Sequence, residues 1–270
     1  MAIVLINNIL FFVKRDDVEN AKGTVIITHG IAEHSLRYDE VTAFLNTSGF
    51  NVVRYDLRGH GQSQGARGKL KSFHQMIDDL HEMVKIEREK APKKLFLLGH
   101  SMGGLIVNLY AVKYGDVDGI ISSAAPTDYI KDVLPLRIVG YRFLGFIKKK
   151  TDFADGRLSR IKKVEEDYNN DPFVLKAFYI SLVGNMFVSG VRYLNKHIKN
   201  YQTPVLILHG EEDKIVPVSF SKQLLENIAV EDKELIVYPG CYHEILNDLD
   251  REKVMGNIKD WLLGHTEGEA

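Results

Sequence analysis

The chain has 270 residues, 45% of them hydrophobic and 26% charged, with a formal net charge of −1. That balance describes a globular protein with a full core, and it leaves no global field to draw in nucleic acid or an anionic surface. The single cysteine, Cys241, excludes an internal disulfide and a thiolate metal cluster and is compatible with a reducing, cytoplasmic compartment.

Met1 to Leu10 is apolar but has no basic start, and Phe11-Phe12-Val13-Lys14 follows it rather than a small-residue cleavage site. It reads as paired strands, Ile3–Ile6 and Ile9–Val13 about the turn Asn7-Asn8, and not as a secretion signal. Thr24–Thr28 is a continuous β-branched run, the mark of a strand covered on both faces. Helical spacing follows over Tyr38–Asn46, then a strand at Asn51–Tyr55 and a glycine-rich turn from Asp56 to Ser63. Ser72–Lys90 carries an amphipathic stripe and ends before Pro92. A strand ending at Leu98 leads into a helix over Met102–Tyr114, and Gly119–Ser123 is the next strand.

From Pro126 to Gln202 the alternation stops, and the segment reads as helical or irregular with basic patches at Lys148–Lys150 and Arg157–Lys163. Alternation resumes with a strand at Pro204–Leu208, a helix at Ser219–Asn227, a strand at Leu235–Tyr238 and a helix at Leu249–Leu263, with Gly264–Ala270 expected to fray. Strand–helix alternation of this kind predicts an α/β protein, a mostly parallel eight-stranded sheet with helices on both faces. The division expected is a core of residues 1–125 and 203–270 interrupted by a cap of residues 126–202. No apolar run approaches membrane-spanning length.

Ligands of such sheets bind at the carboxyl ends of the strands, and the candidate residues fall there. Gly99-His100-Ser101-Met102-Gly103 stands between a strand and a helix, a pattern that exposes a serine at a strained turn beside free helical N–H groups. A serine hydroxyl needs a base, and the base a carboxylate to orient it. Asp213 follows one later strand and His243 the next, in the order Ser, Asp, His expected of a nucleophile elbow. Glu211 and Glu212 rival Asp213, which is preferred because it lies deeper in its loop and just before an apolar segment. His29, His197, His209 and His265 rival His243 but lack its order and context. The oxyanion donors expected are the backbone N–H groups of Met102 and of Ile31, in the loop after Thr28. No dinucleotide or phosphate loop is present, and no H-E-x-x-H spacing, so neither cofactor nor metal is implied.

These blocks together resemble a family. Gly30-Ile31-Ala32-Glu33-His34-Ser35 with Arg37-Tyr38, Asp56 to Ser63, Gly65-Ala66-Arg67-Gly68, the Ser101 elbow, the Asp213 and His243 loops and Asn170-Asp171-Pro172 are similar to the monoacylglycerol lipases and related lysophospholipases. The resemblance implies an α/β-hydrolase fold, a second oxyanion donor at Ile31, a structural role for the Asp56–Ser63 turn, and a cap that closes an acyl-chain tunnel. Parts of Leu136–Ile147 and Val174–Val188 are then expected to line that tunnel. The activity implied is cleavage of monoacylglycerol to glycerol and fatty acid. Lysophospholipid or short-chain ester hydrolysis is the alternative, and a non-catalytic lipid carrier a third. The partners implied are a small lipid ester and, through the cap, a membrane or micelle surface touched transiently by a cytoplasmic protein.

Overall fold

The computed structural model describes residues 1–90 and 93–266. Pro92 and the last four residues of the expected frayed tail lie outside the described residues. The chain opens with β1 (Ala2–Ile6) and β2 (Ile9–Asp16), joined by Asn7 and Asn8 at φ 49° and 60°. Two left-handed residues make the turn that matches strand twist, and asparagine tolerates it. Then come β3 (Gly23–Thr28), α1 (Asp39–Thr47), β4 (Phe50–Tyr55), α2 (His74–Lys90), β5 (Lys94–His100), α3 (Met102–Lys113) and β6 (Gly119–Ser123).

Residues 124–204 lie outside the main sheet. They hold α4 (Leu134–Val139), α5 (Tyr141–Leu144), β7 (Lys148–Lys150), α6 (Lys162–Asn170), β8 (Ala177–Tyr179), α7 (Ile180–Gly184), a π-helical stretch at Asn185–Gly190, and α8 (Val191–His197). The chain then returns with β9 (Val205–Gly210), α9 (Val218–Asn227), β10 (Lys233–Tyr238) and α10 (Arg251–Gly264).

Among the described residues, eight strands form one sheet in the order β1-β2-β4-β3-β5-β6-β9-β10. The β1–β2 and β2–β4 pairs are antiparallel and the rest parallel. Strand alternation splits the core. Ile26, Leu95, Leu97, Val205 and Ile207 face one layer with Met76 and Leu80 of α2 and Leu105 of α3. Val25, Ile27, Phe96, Leu98, Leu206 and Leu208 face the other, with Val41 and Leu45 of α1 and Val254, Ile258 and Trp261 of α10. Each such side chain taken fully out of water contributes roughly 1.5–3 kcal/mol. Strand β3 leads to α1 on one face and β5 to α3 on the other. Their neighbouring carboxyl ends therefore form the point where the winding reverses and a crevice opens.

Two expectations change in detail. The Lys148–Lys150 run, in a segment expected to be helical or irregular, is a strand, exposed and paired antiparallel with Ala177–Tyr179. The start of the tail is held. His265 packs on Trp261 at 3.9 Å between ring centroids, and its Nδ1–H donates to the Trp261 carbonyl at 2.7 Å. Among the described residues no helix is long and apolar enough to cross a membrane.

Candidate active site

Ser101 sits between β5 and α3 with φ 54° and ψ −118°, a conformation that costs a residue with a side chain of order 1–3 kcal/mol. The surroundings hold it there. Its N–H donates to the Ser123 carbonyl at 2.9 Å, and its carbonyl accepts the first helical bond, from Leu105. A Cβ on Gly99 would overlap the Gly103 carbonyl, and one on Gly103 would overlap the Thr28 carbonyl. The glycines flanking the serine are thus a steric demand of three backbones crossing at one place. The Ser101 side chain emerges over the sheet edge, beside the Met102 N–H at the start of α3.

Asp213 and His243 reach the same edge from the ends of β9 and β10. The Asp213 side chain is fully buried. Its Oδ1 accepts the N–H groups of Ile215 and Val216 at 2.8 and 2.9 Å, and its Oδ2 accepts from His243 Nδ1 at 2.7 Å. Burial alone would raise this carboxyl, but the facing His243 and the histidine hydrogen bonds outweigh it and hold Asp213 well below the usual carboxylate range. Asp213 is therefore ionised, the shared hydrogen belongs to Nδ1 of His243, and Nε2 is the nitrogen left to take a proton. Burial pulls the imidazole of His243 down. The Asp213 charge and hydrogen bond, with Glu244 and Glu33 nearby, more than reverse this and leave it above its ordinary value.

Ser101, His243 and Ile31 line one small cavity of about 20 Å³, together with Glu33 and Glu244. A second cavity of about 520 Å³ lies under the insertion, walled by Leu136, Phe153, Phe178, Val183 and Phe187. The two share Ile31, Phe153 and Ile215 as walls. Of the two stretches expected to line a tunnel, Leu136 from the first and Phe178, Ile180, Val183 and Phe187 from the second line this cavity, whereas Ile138, Phe143 and Phe146 are 85%, 81% and 76% exposed. Ile138 and Phe143 lie on the faces of α4 and α5 opposite Leu136 and the buried Tyr141, and Phe146 follows α5.

The rival histidines take other parts. His209, wholly buried, uses Nε2–H on the Val216 carbonyl at 2.9 Å, with Asp213 Oδ2 at 3.3 Å, and accepts from the Ser221 hydroxyl at 2.7 Å. It braces the aspartate loop. His29 bonds the Gly30 carbonyl and the Leu57 N–H, and burial pulls it down to about 3. His197 and His265 lie away on α8 and at the end of α10. Glu211 and Glu212 are exposed. Asp56 accepts from Ser35 and Gln62 in the turn below the site.

One network joins residues that the sequence marked only through the resemblance, with nothing to show that they meet. Arg37 donates two bonds to Glu244 at 2.7 and 2.8 Å and approaches Glu33 at 3.2 Å, while Tyr38 donates to Glu33 at 3.2 Å. A buried cation thus joins the loop carrying Ile31 to the loop carrying His243. Burial dominates at Glu33 and raises its carboxyl; at Glu244 the bidentate Arg37 overrides burial and lowers it. Among the described residues no group of three or more His, Cys, Asp and Glu side chains is arranged to hold a metal ion.

The sequence profile described as "Serine aminopeptidase, S33" matches residues 19–250. The chain belongs to this family. With the sheet order above, it is a serine hydrolase of the α/β-hydrolase fold. It is 29% identical over 249 residues to the monoacylglycerol lipase of Mycolicibacterium smegmatis, covering 90% of this chain and 89% of that one. It is 28% identical to the phospholipase YtpA of Bacillus subtilis, over 85% of this chain and 91% of that one. The crystal structure of Paleococcus ferrophilus monoacylglycerol lipase superposes with a TM-score of 0.84 at 29% identity, covering 94% of this chain and 99% of that chain.

Proposed function

We propose that this hydrolase cleaves monoacylglycerols to glycerol and free fatty acid through an acyl-enzyme, with Ser101 as nucleophile, His243 as base and Asp213 as its orienting carboxylate. The observation that carries the reading is the 520 Å³ apolar cavity that abuts the cavity of Ser101 and His243 along Ile31, Phe153 and Ile215. An acyl chain in the first brings its ester carbonyl to the second. The insertion at 126–202 then acts as the cap over that chain. The kinship to lipases of monoacylglycerols supports the head group.

In this reading Ser101 Oγ attacks the ester carbonyl carbon while His243 Nε2 takes its proton. The oxygen gains charge between the N–H groups of Met102 and Ile31. The imidazolium, paired with Asp213, gives its proton to the glycerol oxygen as the C–O bond breaks. Water then attacks the acyl-enzyme, His243 takes its proton, and Ser101 Oγ leaves protonated with release of the fatty acid. No step needs a cofactor.

A second reading, lysophospholipid as substrate, rests on the kinship to the phospholipase YtpA; Lys131, Lys149 and Lys214 line the large cavity, but Asp132 and Asp152 line it too and offset their charge. A peptide substrate is disfavoured. The carboxylates beside the site that could hold an α-ammonium group, Glu33 and Glu244, are already engaged by Arg37.

The test is a panel of monoacylglycerols of graded chain length, lysophosphatidylcholine and an aminoacyl arylamide, with wild type and Ser101→Ala. Expected is preference for a monoacylglycerol and a loss on the order of 10⁴-fold or more in kcat for the variant. Wild-type rates from Ser101→Ala would sink the mechanism; faster turnover of lysophosphatidylcholine would replace the substrate. A non-catalytic carrier would fail to label at Ser101 with a fluorophosphonate.

A further inference from the structure

Two motifs remain without a part in the chemistry: His34, in the block after β3, and Asp171, between Asn170 and Pro172 in the insertion. The structure brings them together across 137 residues of chain. His34 Nε2 lies 2.7 Å from Asp171 Oδ2. His34 is 4% exposed and packs edge-on against Phe173, at 5.6 Å between ring centroids. Contact with His34 and the N–H of Phe173 outweighs burial and lowers the Asp171 carboxyl, so the histidine donates to a carboxylate. Three residues further along the insertion from Phe173's neighbour Pro172, the Leu175 N–H donates to the carbonyl of Ala32 at 2.8 Å.

These two bonds grip the loop that carries Ile31 from the cap side. That loop needs gripping. Ala32, next to Ile31, has φ +66°, the left-handed region that a residue with a Cβ avoids. A strained turn keeps its shape only where its surroundings over-determine it. On the core side Ser35 is bonded to Asp56 and Glu33 to Arg37 and Tyr38. On the cap side the bonds are His34–Asp171 and Ala32–Leu175. Ile31 lies in the strained turn between them.

We infer that His34 and Asp171 are positioning residues: their bond sets the direction of the Ile31 N–H toward the oxyanion and so couples seating of the cap to transition-state stabilisation. This rests on the reading of Ser101 as nucleophile and Ile31 as oxyanion donor. It goes beyond it in giving the cap a share in the rate of the chemical step and not only in holding the acyl chain.

The distinction decides the experiment. A cap that only holds the chain matters for long acyl groups. A cap that aims Ile31 matters equally for p-nitrophenyl acetate, whose two-carbon acyl group has no chain to place under it. The variants are His34→Ala, Asp171→Ala, the pair combined, and His34→Gln, whose amide can still donate to Asp171. For each, kcat and KM are measured on p-nitrophenyl acetate and on a long-chain monoacylglycerol, with a thermal melt alongside.

Expected is a fall of roughly 10- to 100-fold in kcat on both esters for the single alanine variants, with KM on the acetate little changed. The double variant should be no slower than the worse single one, because both remove one interaction. His34→Gln should recover most of the loss. Should His34→Ala not fold, Asp171→Asn keeps the bond to the Phe173 N–H and tests the same tie. Folded variants with wild-type kcat on the acetate overturn the inference, as do losses confined to the long ester or additive losses in the double variant. A wild type that hydrolyses neither ester and does not label at Ser101 overturns the reading beneath it, which the unmutated protein alone reveals.

Discussion

The sheet edge and the outer limb of the insertion are built on opposite principles. At the edge, Ser101, Asp213 and His243 each follow a strand, and each is held by close, fixed partners. The serine turn is closed by the Thr28 and Gly103 carbonyls, Asp213 by two N–H groups, and His243 by Asp213 itself. In the outer limb, from Leu134 to Ile147, the buried Tyr141 anchors the segment on Asn185 and Ser189, while Ile138, Val139, Phe143 and Phe146 turn to solvent. The inner limb belongs with the edge. Glu244 N–H donates to the Leu158 carbonyl, Arg160 pairs with Asp248, and Leu175 bonds Ala32. One part of the insertion is thus tied to the rim that carries Ser101 and His243, and the other turns an apolar face, Ile138, Val139, Phe143 and Phe146, to solvent.

The strongest test of the rigid side is Arg37→Met. Arg37 is the cation between Glu33 and Glu244, whose side chains are 6% and 2% exposed. Its removal leaves two carboxylates buried without a counter-charge, which costs about 3–5 kcal/mol where measured elsewhere. A melting midpoint lower by roughly 10 °C is expected for a chain of this size. Adding Glu244→Gln should return part of the loss, since one buried charge is then gone. An Arg37→Met protein with an unchanged melt would mean that the two loops are held by other contacts and that the rim is less dependent on this cation than its geometry implies.

Acidity gives a milder probe of the same side. In the proposed mechanism His243 must be neutral to accept a proton, and its neighbours raise it above the ordinary imidazole value of 6.5. The acid limb of kcat/KM should therefore rise with pH through a midpoint above that value. His100, 4.9 Å away between ring centroids, does not compete for this assignment, because burial pulls it down to about 3. Glu33 does, since burial raises it toward neutrality. Glu33→Gln separates them: the limb stays, with its midpoint somewhat lower, if it belongs to His243, and disappears if it belongs to the carboxyl. Asp213→Asn removes the charge that lifts the imidazole, so the limb should move to lower pH while kcat falls.

How much of this was legible from residue types alone follows the same division. Thr24–Thr28 and Leu95–Leu98 announce buried strands because every residue in them faces a layer of helices. The elbow is legible because steric overlap forbids any residue but glycine at 99 and 103. The inner ties were not legible. Arg37 and Glu244 are 207 residues apart, and nothing local marks one for the other. His209 and His243 both follow strands and both touch Asp213. Chain order separates them, since His209 precedes Asp213 and His243 follows it; what packing adds is that the nitrogens of His209 are taken by Val216 and Ser221. Lys148–Lys150 pairs with Ala177–Tyr179, and three lysines in a row carry neither strand periodicity nor a turn signal.

The smallest effect on the folded protein, and the sharpest on the outer limb, is expected from Ile138→Ser with Phe143→Ser. We propose that this limb is where the protein meets a lipid surface. Ile138 and Phe143 are exposed and next in the chain to the exposed Arg137 and Arg142, and the exposed Lys148–Lys150 follows a few residues on, a pattern that suits an anionic bilayer or micelle. Both side chains are solvated, so stability should move by no more than about 0.5 kcal/mol. Turnover of p-nitrophenyl acetate should hold at the wild-type rate. Co-sedimentation with phosphatidylserine vesicles should drop about tenfold or more, since burial of each side chain contributes of order 1.5–3 kcal/mol. Hydrolysis of monoacylglycerol presented in those vesicles should fall with it. Salt should weaken wild-type binding in part, through the lysines, and leave the apolar share. Equal sedimentation by wild type and variant would show that these residues do not touch lipid, and the contrast between a rigid inner and a docking outer limb would fail on its outer half.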